Sequence, residues 1–505
     1  MRSLFYVSPP LLLSFFSVFV LIAGLWIRNH AFLVGTSLLG LGGTAGLYLS
    51  MIGKPAQDAF AGMLIFDHFG LFFSVFSVLV IALGVIVSAR SREIKEDRRS
   101  EYYSILLALC TGLIFMGISN HLLMAYLAVE TVSILSYTLA GFNRERNVSV
   151  EASMKYVVYG SMASAIMVYG ISLLFGVTGE LEMTGLREFF AKTPADQLPH
   201  LTWIAVLLIF AGMGYKISAA PMHMWTPDVY EGAPTPVSAM FSVAPKAAGF
   251  ALLVRFLVTA FTQPIEGSME ALATGIPVSQ ASFNLVGNFN WPLFLMASSG
   301  LTMFMGNLAA LSQVSIKRIL AYSSIAHAGY MLMGISTQST AGIYAILFYV
   351  MVYCFMNIGA FWIASKVDDV MGGDHLKHFR GLVSRKPFYA ISMAVFLFSL
   401  VGIPPFAGFM GKLYLFRAVI GREMYFFGLI AAINSVISLY YYMKIVKAMF
   451  FDAPEVEMPA GKTAFDSRLT MTFIALLVIP NIMFGLFTDP LMALISEAAR
   501  IFTGS

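Results

Sequence analysis

Apolar residues run along this chain in blocks about as long as a bilayer is thick, separated by short stretches that hold most of the charge. A helix needs about 20 mostly apolar residues to cross the hydrocarbon of a membrane, and the chain offers such runs almost end to end. Fourteen are read as spans, centred on residues 10–27, 32–52, 69–89, 104–119, 122–142, 153–176, 202–222, 234–259, 292–311, 318–336, 342–364, 388–416, 424–446 and 470–493. The run from Pro9 to Ile27 is long and lacks a small-residue cleavage site, so it is read as a retained span and not as a signal peptide. The expected fold is an all-α integral membrane protein.

Composition agrees with the pattern. Of 505 residues, 58% are hydrophobic and 11% charged, against roughly 25% charged in soluble domains. The mean hydropathy is +0.80. An ordinary cytosolic enzyme is excluded, because too few charges remain to cover its surfaces. The net charge of +4, scattered over short loops, also excludes nucleic acid as a partner. Cys110 and Cys354 lie far apart in apolar runs. They make no CxxC pair, disulfide framework, or zinc or iron–sulfur ligand set, and read as packing residues.

The loops test orientation. Alternate loops hold twenty basic residues on one side, among them Arg28, Arg90, Arg92, Lys95, Arg98, Arg99, Lys317, Arg318, Lys366 and Lys462. The other side holds eight, including Arg2, Lys54, Arg255 and Arg500. The positive-inside rule then places the first side in the cytoplasm and both termini outside.

Three of the 31 basic residues remain inside apolar spans: Lys216, Lys246 and Lys412. Glu130 is the one acid well inside a span, and His223 and His327 lie at similar depth. A charge at the bilayer centre costs about 2.5–3.5 kcal/mol on insertion scales, so such residues point to function unless they snorkel to an interface. Lys216 follows the apolar run "LLIFAGMGY", which disfavours snorkelling. Lys246 is ringed by small residues that let helices approach closely. Lys412 follows "GIPPFAGFMG", where prolines and glycines break the helix and free carbonyls that a cation or water can use. Glu130 is the expected counter-ion of one of these lysines. A carboxylate paired with an ammonium stays ionised and an unpaired one takes up a proton, so altering the pairing moves a proton. Lysine suits such chemistry because it responds readily to burial and to its neighbours. His327, beside Ser323, Ser324 and Tyr330, reads equally as a satisfied core residue; its place in a polar row favours a relay.

The segment from Lys155, "KYVVYGSMASA", echoes that from Lys317, "KRILAYSSIAH", and "SAAPMHMW" echoes "GIPPFAGFMGK". Two related bundles with broken helices at matching places form a transporter pattern. "GLGGTA" at Gly40 sits mid-span and reads as helix packing, not a dinucleotide loop. With no P-loop and no haem, flavin or iron–sulfur pattern, the chain is expected to carry no cofactor and no metal.

The run "KISAAPMHMWTPDVYEGAPTPVSAMFSVAPKAAGF" from Lys216 to Phe250 resembles the proton-pumping subunit N family of bacterial NADH-quinone oxidoreductase, respiratory complex I. The resemblance extends through "AVETVSILSYTLAGF" at Ala128, "SIKRILAYSSIAHAGYMLMG" at Ser315 and "GIPPFAGFMGKLYLF" at Gly402, from about residue 65 to 450. It implies fourteen transmembrane helices with two inverted five-helix antiporter-like repeats, whose seventh and twelfth helices are broken. Residues 1–103 would hold helices 1–3, 104–260 the first repeat, 261–450 the second, and 451–505 helix 14. Glu130, Lys216, Lys246 and Lys412 would be channel residues, with His327 the central histidine and Lys155 an uptake-side lysine. His223 is either a further member of the polar axis or a side chain that satisfies the broken helix. The chain would belong to a proton-translocating enzyme of the bacterial inner membrane beside other membrane-arm subunits, with NADH, flavin, iron–sulfur clusters and quinone handled by those partners. A cation/proton antiporter or membrane-bound hydrogenase subunit shares the charge pattern but not so plainly the "HMWTPDVYEGAPTP" run. A structural spacer would gain nothing from the buried charges.

Overall fold

The computed structural model describes residues 2–27, 29–194, 197–264, 283–285, 290–457, 465 and 467–499. The N-terminal helices are α1 (Arg2–Ala23), α2 (His30–Leu49) and α3 (His68–Ser88), with a short antiparallel pair, β1 (Gln57–Ala59) and β2 (Leu64–Phe66), before α3. Then come α4 (Arg99–Ile118), α5 (Leu122–Ala140), α6 (Asn147–Thr178), the short α7 (Met183–Lys192), α8 (His200–Ile217), α9 (Thr226–Gly232), α10 (Thr235–Phe241) and α11 (Ala244–Phe261). A second strand pair, β3 (Thr262–Pro264) and β4 (Phe283–Leu285), precedes α12 (Trp291–Leu311), α13 (Ile316–Ser336) and α14 (Thr340–Met371). The chain continues through two single-turn helices, α15 (Leu376–Phe379) and α16 (Leu382–Arg385), to α17 (Pro387–Val401) and α18 (Ala407–Ile420). It ends with α19 (Tyr425–Phe450), α20 (Arg468–Leu486) and α21 (Asp489–Ala499).

Twelve helical stretches among the described residues are long and apolar enough to cross a membrane. The other two predicted runs fall on α13, which carries Lys317 and Arg318 in its first turn, and on the pair α17 and α18, which divide the run 388–416 between them. Helix ends follow local chemistry: the Asp67 carboxylate accepts the Gly70 N–H at 2.7 Å to start α3. Left-handed Gly179 and Gly372 end α6 and α14, where a Cβ would be strained. The α10–α11 stretch and α14 are almost wholly buried and form the centre, whereas α1, α2, α6 and α20 turn most of their surface outward. Gly40 lies against Phe16 of α1, where a Cβ would clash, so "GLGGTA" packs helices as expected. Cys110 and Cys354 are buried and free.

The loop tally needs correction. Arg255, counted on the outer side, is buried within α11, where its guanidinium grips both oxygens of Asp67 at 2.8 and 2.9 Å and donates to the Gly117 carbonyl at 3.1 and 3.0 Å. It ties the start of α3 and the end of α4 to α11. Lys317 and Lys366, counted as cytoplasmic loop residues, are also buried. Lys317 Nζ donates to the Ala233 carbonyl at 2.7 Å, and Lys366 Nζ to Asp369 at 2.7 Å and the Arg90 carbonyl at 2.5 Å. Each has a partner remote in sequence or at a helix end, which an apolar-run reading cannot see. Arg28, Lys462 and Arg500 lie outside the described residues.

Candidate functional site

The break after α8 is built from side chains that replace helix hydrogen bonds. Ser218 takes a left-handed conformation at the end of α8, and Pro221 in the turn has no N–H to offer a helix. The Trp225 indole donates to the Tyr215 carbonyl at 3.0 Å, and the Thr226 hydroxyl donates to that of Ser218 at 2.8 Å. From α12, Thr302 Oγ1 accepts the Ala220 N–H at 2.8 Å and Ser298 Oγ donates to the Ala220 carbonyl at 3.1 Å. Non-helical backbone at membrane depth survives only when protein satisfies it in this way.

Lys216, near the end of α8, is 1% exposed. Its Nζ donates to Ser133 Oγ on α5 at 2.9 Å, and that hydroxyl donates in turn to the Val129 carbonyl at 2.7 Å. With its proton committed to the backbone, Ser133 offers a lone pair to the lysine. Glu130, one turn earlier on α5, takes the Ser164 hydroxyl of α6. Glu130, the expected counter-ion, makes no ion pair within 4 Å of Lys216: Ser133 stands on the ammonium and Ser164 on the carboxylate. Gly249 of α11 lies against Ile217 and the Lys216 stem, a close approach that a side chain would block.

Lys246, in the first turn of α11, repeats the arrangement. Its Nζ donates to Ser324 Oγ of α13 at 2.7 Å, Ser324 donates to the Ala321 carbonyl at 2.6 Å, and the Tyr230 ring of α9 lies 5.6 Å from the ammonium. One turn along α13, His327 is held on both nitrogens: Nδ1 lies 2.6 Å from the Tyr349 hydroxyl and Nε2 3.1 Å from the Tyr442 hydroxyl, which also bonds Ser323. One further turn on, the Tyr330 ring lies 4.6 Å from the Lys412 ammonium. A single helix thus reaches Lys246, His327 and Lys412 in succession.

The second break gives Lys412 a different setting. α17 stops at Val401, Gly402 adopts φ 88°, and the chain passes Pro404 and Pro405 before α18. Lys412 Nζ donates to the freed Val401 carbonyl at 2.7 Å and to Ser435 Oγ of α19 at 3.0 Å. Ser399 Oγ accepts the Gly408 N–H at 3.1 Å. The carbonyl expected to serve a cation therefore serves the chain's own lysine.

Lys155 stands apart at the edge of α6, half exposed, paired with Glu151 at 2.8 Å and Asp228 at 2.7 Å. His223 lies in the turn between α8 and α9. Its carbonyl takes the Thr226 N–H at 3.1 Å, and its buried Nδ1 has no hydrogen-bond partner among the described residues. Sequence reading missed Ser133, Ser435, Tyr349, Tyr442 and Asp228; the spacing of Ser133 from Glu130, one helical turn, was the available signal. Among the described residues no group of three His, Cys, Asp or Glu side chains is placed to hold a metal.

Comparison with known proteins fixes the family. The model described as "NADH:quinone oxidoreductase/Mrp antiporter, TM" matches residues 119–274 and 271–438. NADH-quinone oxidoreductase subunit N of Anaeromyxobacter sp. (strain Fw109-5) is 39% identical over all of this chain and 98% of its own length. The chain belongs to the subunit N family of NADH-quinone oxidoreductases. A second subunit N, "subunit N 2" of Sorangium cellulosum (strain So ce56), is 40% identical over 99% of this chain and 98% of its own. Among solved structures, a chain of respiratory complex I from Thermus thermophilus with bound aureothin is 29% identical, with a TM-score of 0.78 over 96% of this chain and 98% of that one. This subunit N family member is accordingly an antiporter-like, multi-pass membrane protein.

Proposed function

We propose that the chain translocates protons in the membrane arm of a quinone-reducing NADH oxidoreductase of the bacterial inner membrane, with both termini on the non-cytoplasmic side and other membrane-arm subunits as neighbours. Residues 104–260 and 261–450 act as two inverted five-helix units, flanked by 1–103 and 451–505. Electron chemistry, with its NADH, flavin, iron–sulfur clusters and quinone, belongs to partner subunits. This chain holds and moves protons. Quinone reduction elsewhere shifts the Glu130–Lys216 relation, which changes the proton affinity of Lys246 and then, through His327, of Lys412. Lys155 stands on the uptake side, and release is to the outside. His223 either extends this polar axis or satisfies the broken helix.

The observation that carries this reading is the common setting of Lys216, Lys246 and Lys412, the three lysines inside the apolar spans. Each ammonium rests on a serine hydroxyl from another helix and has no carboxylate within 4 Å among the described residues. Charges without a counter-ion in contact are costly in a low-dielectric interior and respond to small changes nearby. Replacing Lys246 with Ala in the assembled complex is expected to lower proton pumping per NADH oxidised. Pumping at the unaltered ratio would remove Lys246 from the path.

A further inference from the structure

Helix α9 and the turn into α10 are pinned by charges from three other parts of the molecule. Asp228 takes the Lys155 ammonium of α6 on one oxygen at 2.7 Å and the Arg318 guanidinium of α13 on the other at 2.9 Å. Glu231, one turn on, takes the same Arg318 nitrogen at 2.6 Å. The Ala233 carbonyl accepts from buried Lys317 at 2.7 Å, and the Thr235 N–H donates to Glu93, in the α3–α4 loop, at 2.6 Å. Glu93 is itself paired with Arg146 at 3.1 Å.

α9 is seven residues long and cannot hold its place by its own hydrogen bonding. Its other contacts lead to the buried lysines. Tyr230, two residues from Asp228, presents its ring to Lys246, with its hydroxyl donating to the Phe241 carbonyl at 2.9 Å. Trp225, just before α9, holds the Tyr215 carbonyl beside Lys216 and stacks on Tyr156 of α6 with ring centroids 4.4 Å apart. Whatever sets the seat of α9 therefore sets the surroundings of both lysines.

We propose that Asp228 is a positioning residue for Lys216 and Lys246: shared between Lys155 of α6 and Arg318 of α13, it clasps α9 between the two five-helix units and fixes Tyr230 and Trp225 against the lysine row. This rests on the reading that the buried lysines carry protons. The clasp acts through α9 and touches neither lysine. A carboxylate is required because one side chain must satisfy two cations at once, which the amide of Asn cannot do.

The test uses the assembled complex in sealed vesicles, with protons exported per NADH oxidised as the readout and assembled complex quantified separately. Asp228→Asn is expected to lower the proton ratio by about threefold, the scale of a coupling position, at an assembled amount close to wild type. Asp228→Glu, which keeps both ion pairs available, is expected to restore it. The double variant Asp228→Asn with Arg318→Gln is expected to be no worse than the poorer single one, since both break one clasp. An unchanged ratio in Asp228→Asn, additive losses in the double variant, or loss of assembly that Glu fails to rescue would each overturn the proposal. Lys246→Met is measured alongside. Pumping lost there but intact in Asp228→Asn rejects the clasp alone, whereas intact pumping in Lys246→Met rejects the proton-carrying reading and the clasp with it.

Discussion

The two broken spans solve one problem in opposite ways. At the first, between α8 and α9, neutral side chains satisfy the freed backbone: Trp225 takes the Tyr215 carbonyl, and Thr302 and Ser298 hold both polar groups of Ala220. Lys216 is left to Ser133, one turn from the Glu130 carboxylate. At the second, between α17 and α18, the lysine is itself the cap. Lys412 holds the Val401 carbonyl, with Ser435 and the Tyr330 ring completing its surroundings. Where a carboxylate is near, the ammonium is kept off the backbone and can answer to that charge. Where none is near, the broken helix supplies the negative end of a peptide dipole. The first break thus suits a lysine that senses a neighbour, and the second a lysine whose charge state is tied to the shape of the break.

The largest effect is expected at a site with the direct ion pair that both breaks lack. Asp67→Asn leaves the Arg255 charge buried with only neutral acceptors, the Gly117 carbonyl and one amide oxygen, and breaking such a pair costs about 3–5 kcal/mol. Thermal unfolding in detergent should show it, together with a drop in assembled complex. Next comes the asymmetry between the breaks. Lys412→Met strips the Val401 carbonyl of its strongest donor and is expected to destabilise by about 1–3 kcal/mol. Lys216→Met frees no carbonyl and should stay within about 1 kcal/mol of wild type. Equal losses in the two variants would erase the distinction.

Serine removal should separate them again, in function. Ser133→Ala deprives Lys216 of its one protein hydrogen-bond partner among the described residues and is expected to slow coupled turnover by about tenfold, matching a lost hydrogen bond to a charged group. Ser435→Ala leaves Lys412 its Val401 carbonyl and should cost no more than about threefold on the same scale. Steady-state NADH:quinone rates of tightly coupled vesicles measure both. Smallest is Thr302→Val, which orphans the Ala220 N–H and should lower stability by about 1 kcal/mol while leaving the pumping ratio unchanged.

Much of this was legible from residues alone because a lysine inside an apolar run is costly enough to declare itself. Lys216, Lys246 and Lys412 all stood out, and the prolines and glycines near Lys412 announced a break. Arg255 did not stand out, since its partner Asp67 lies 188 residues earlier and only the fold brings them together. The serines that hold the lysines were hidden for another reason. Serines in apolar helices commonly bond the carbonyl one turn back, as Ser74 and Ser77 do in α3; only its one-turn spacing from Glu130 sets Ser133 apart from those, and nothing local sets Ser435 apart. Glu130 was singled out by depth, and the geometry gave it Ser164 as its hydrogen-bond partner in place of a lysine. Asp228 read as one acid in a polar turn, because its two cations come from α6 and α13.

The central claim is that proton movement depends on the Glu130–Lys216 relation at the first break. It is tested most directly by reconstituting complexes carrying Lys216→Ala or Glu130→Ala in sealed vesicles and measuring protons exported per NADH oxidised. The account predicts a lower ratio and slower coupled turnover in both variants, with assembly retained. An unchanged ratio in both would contradict it.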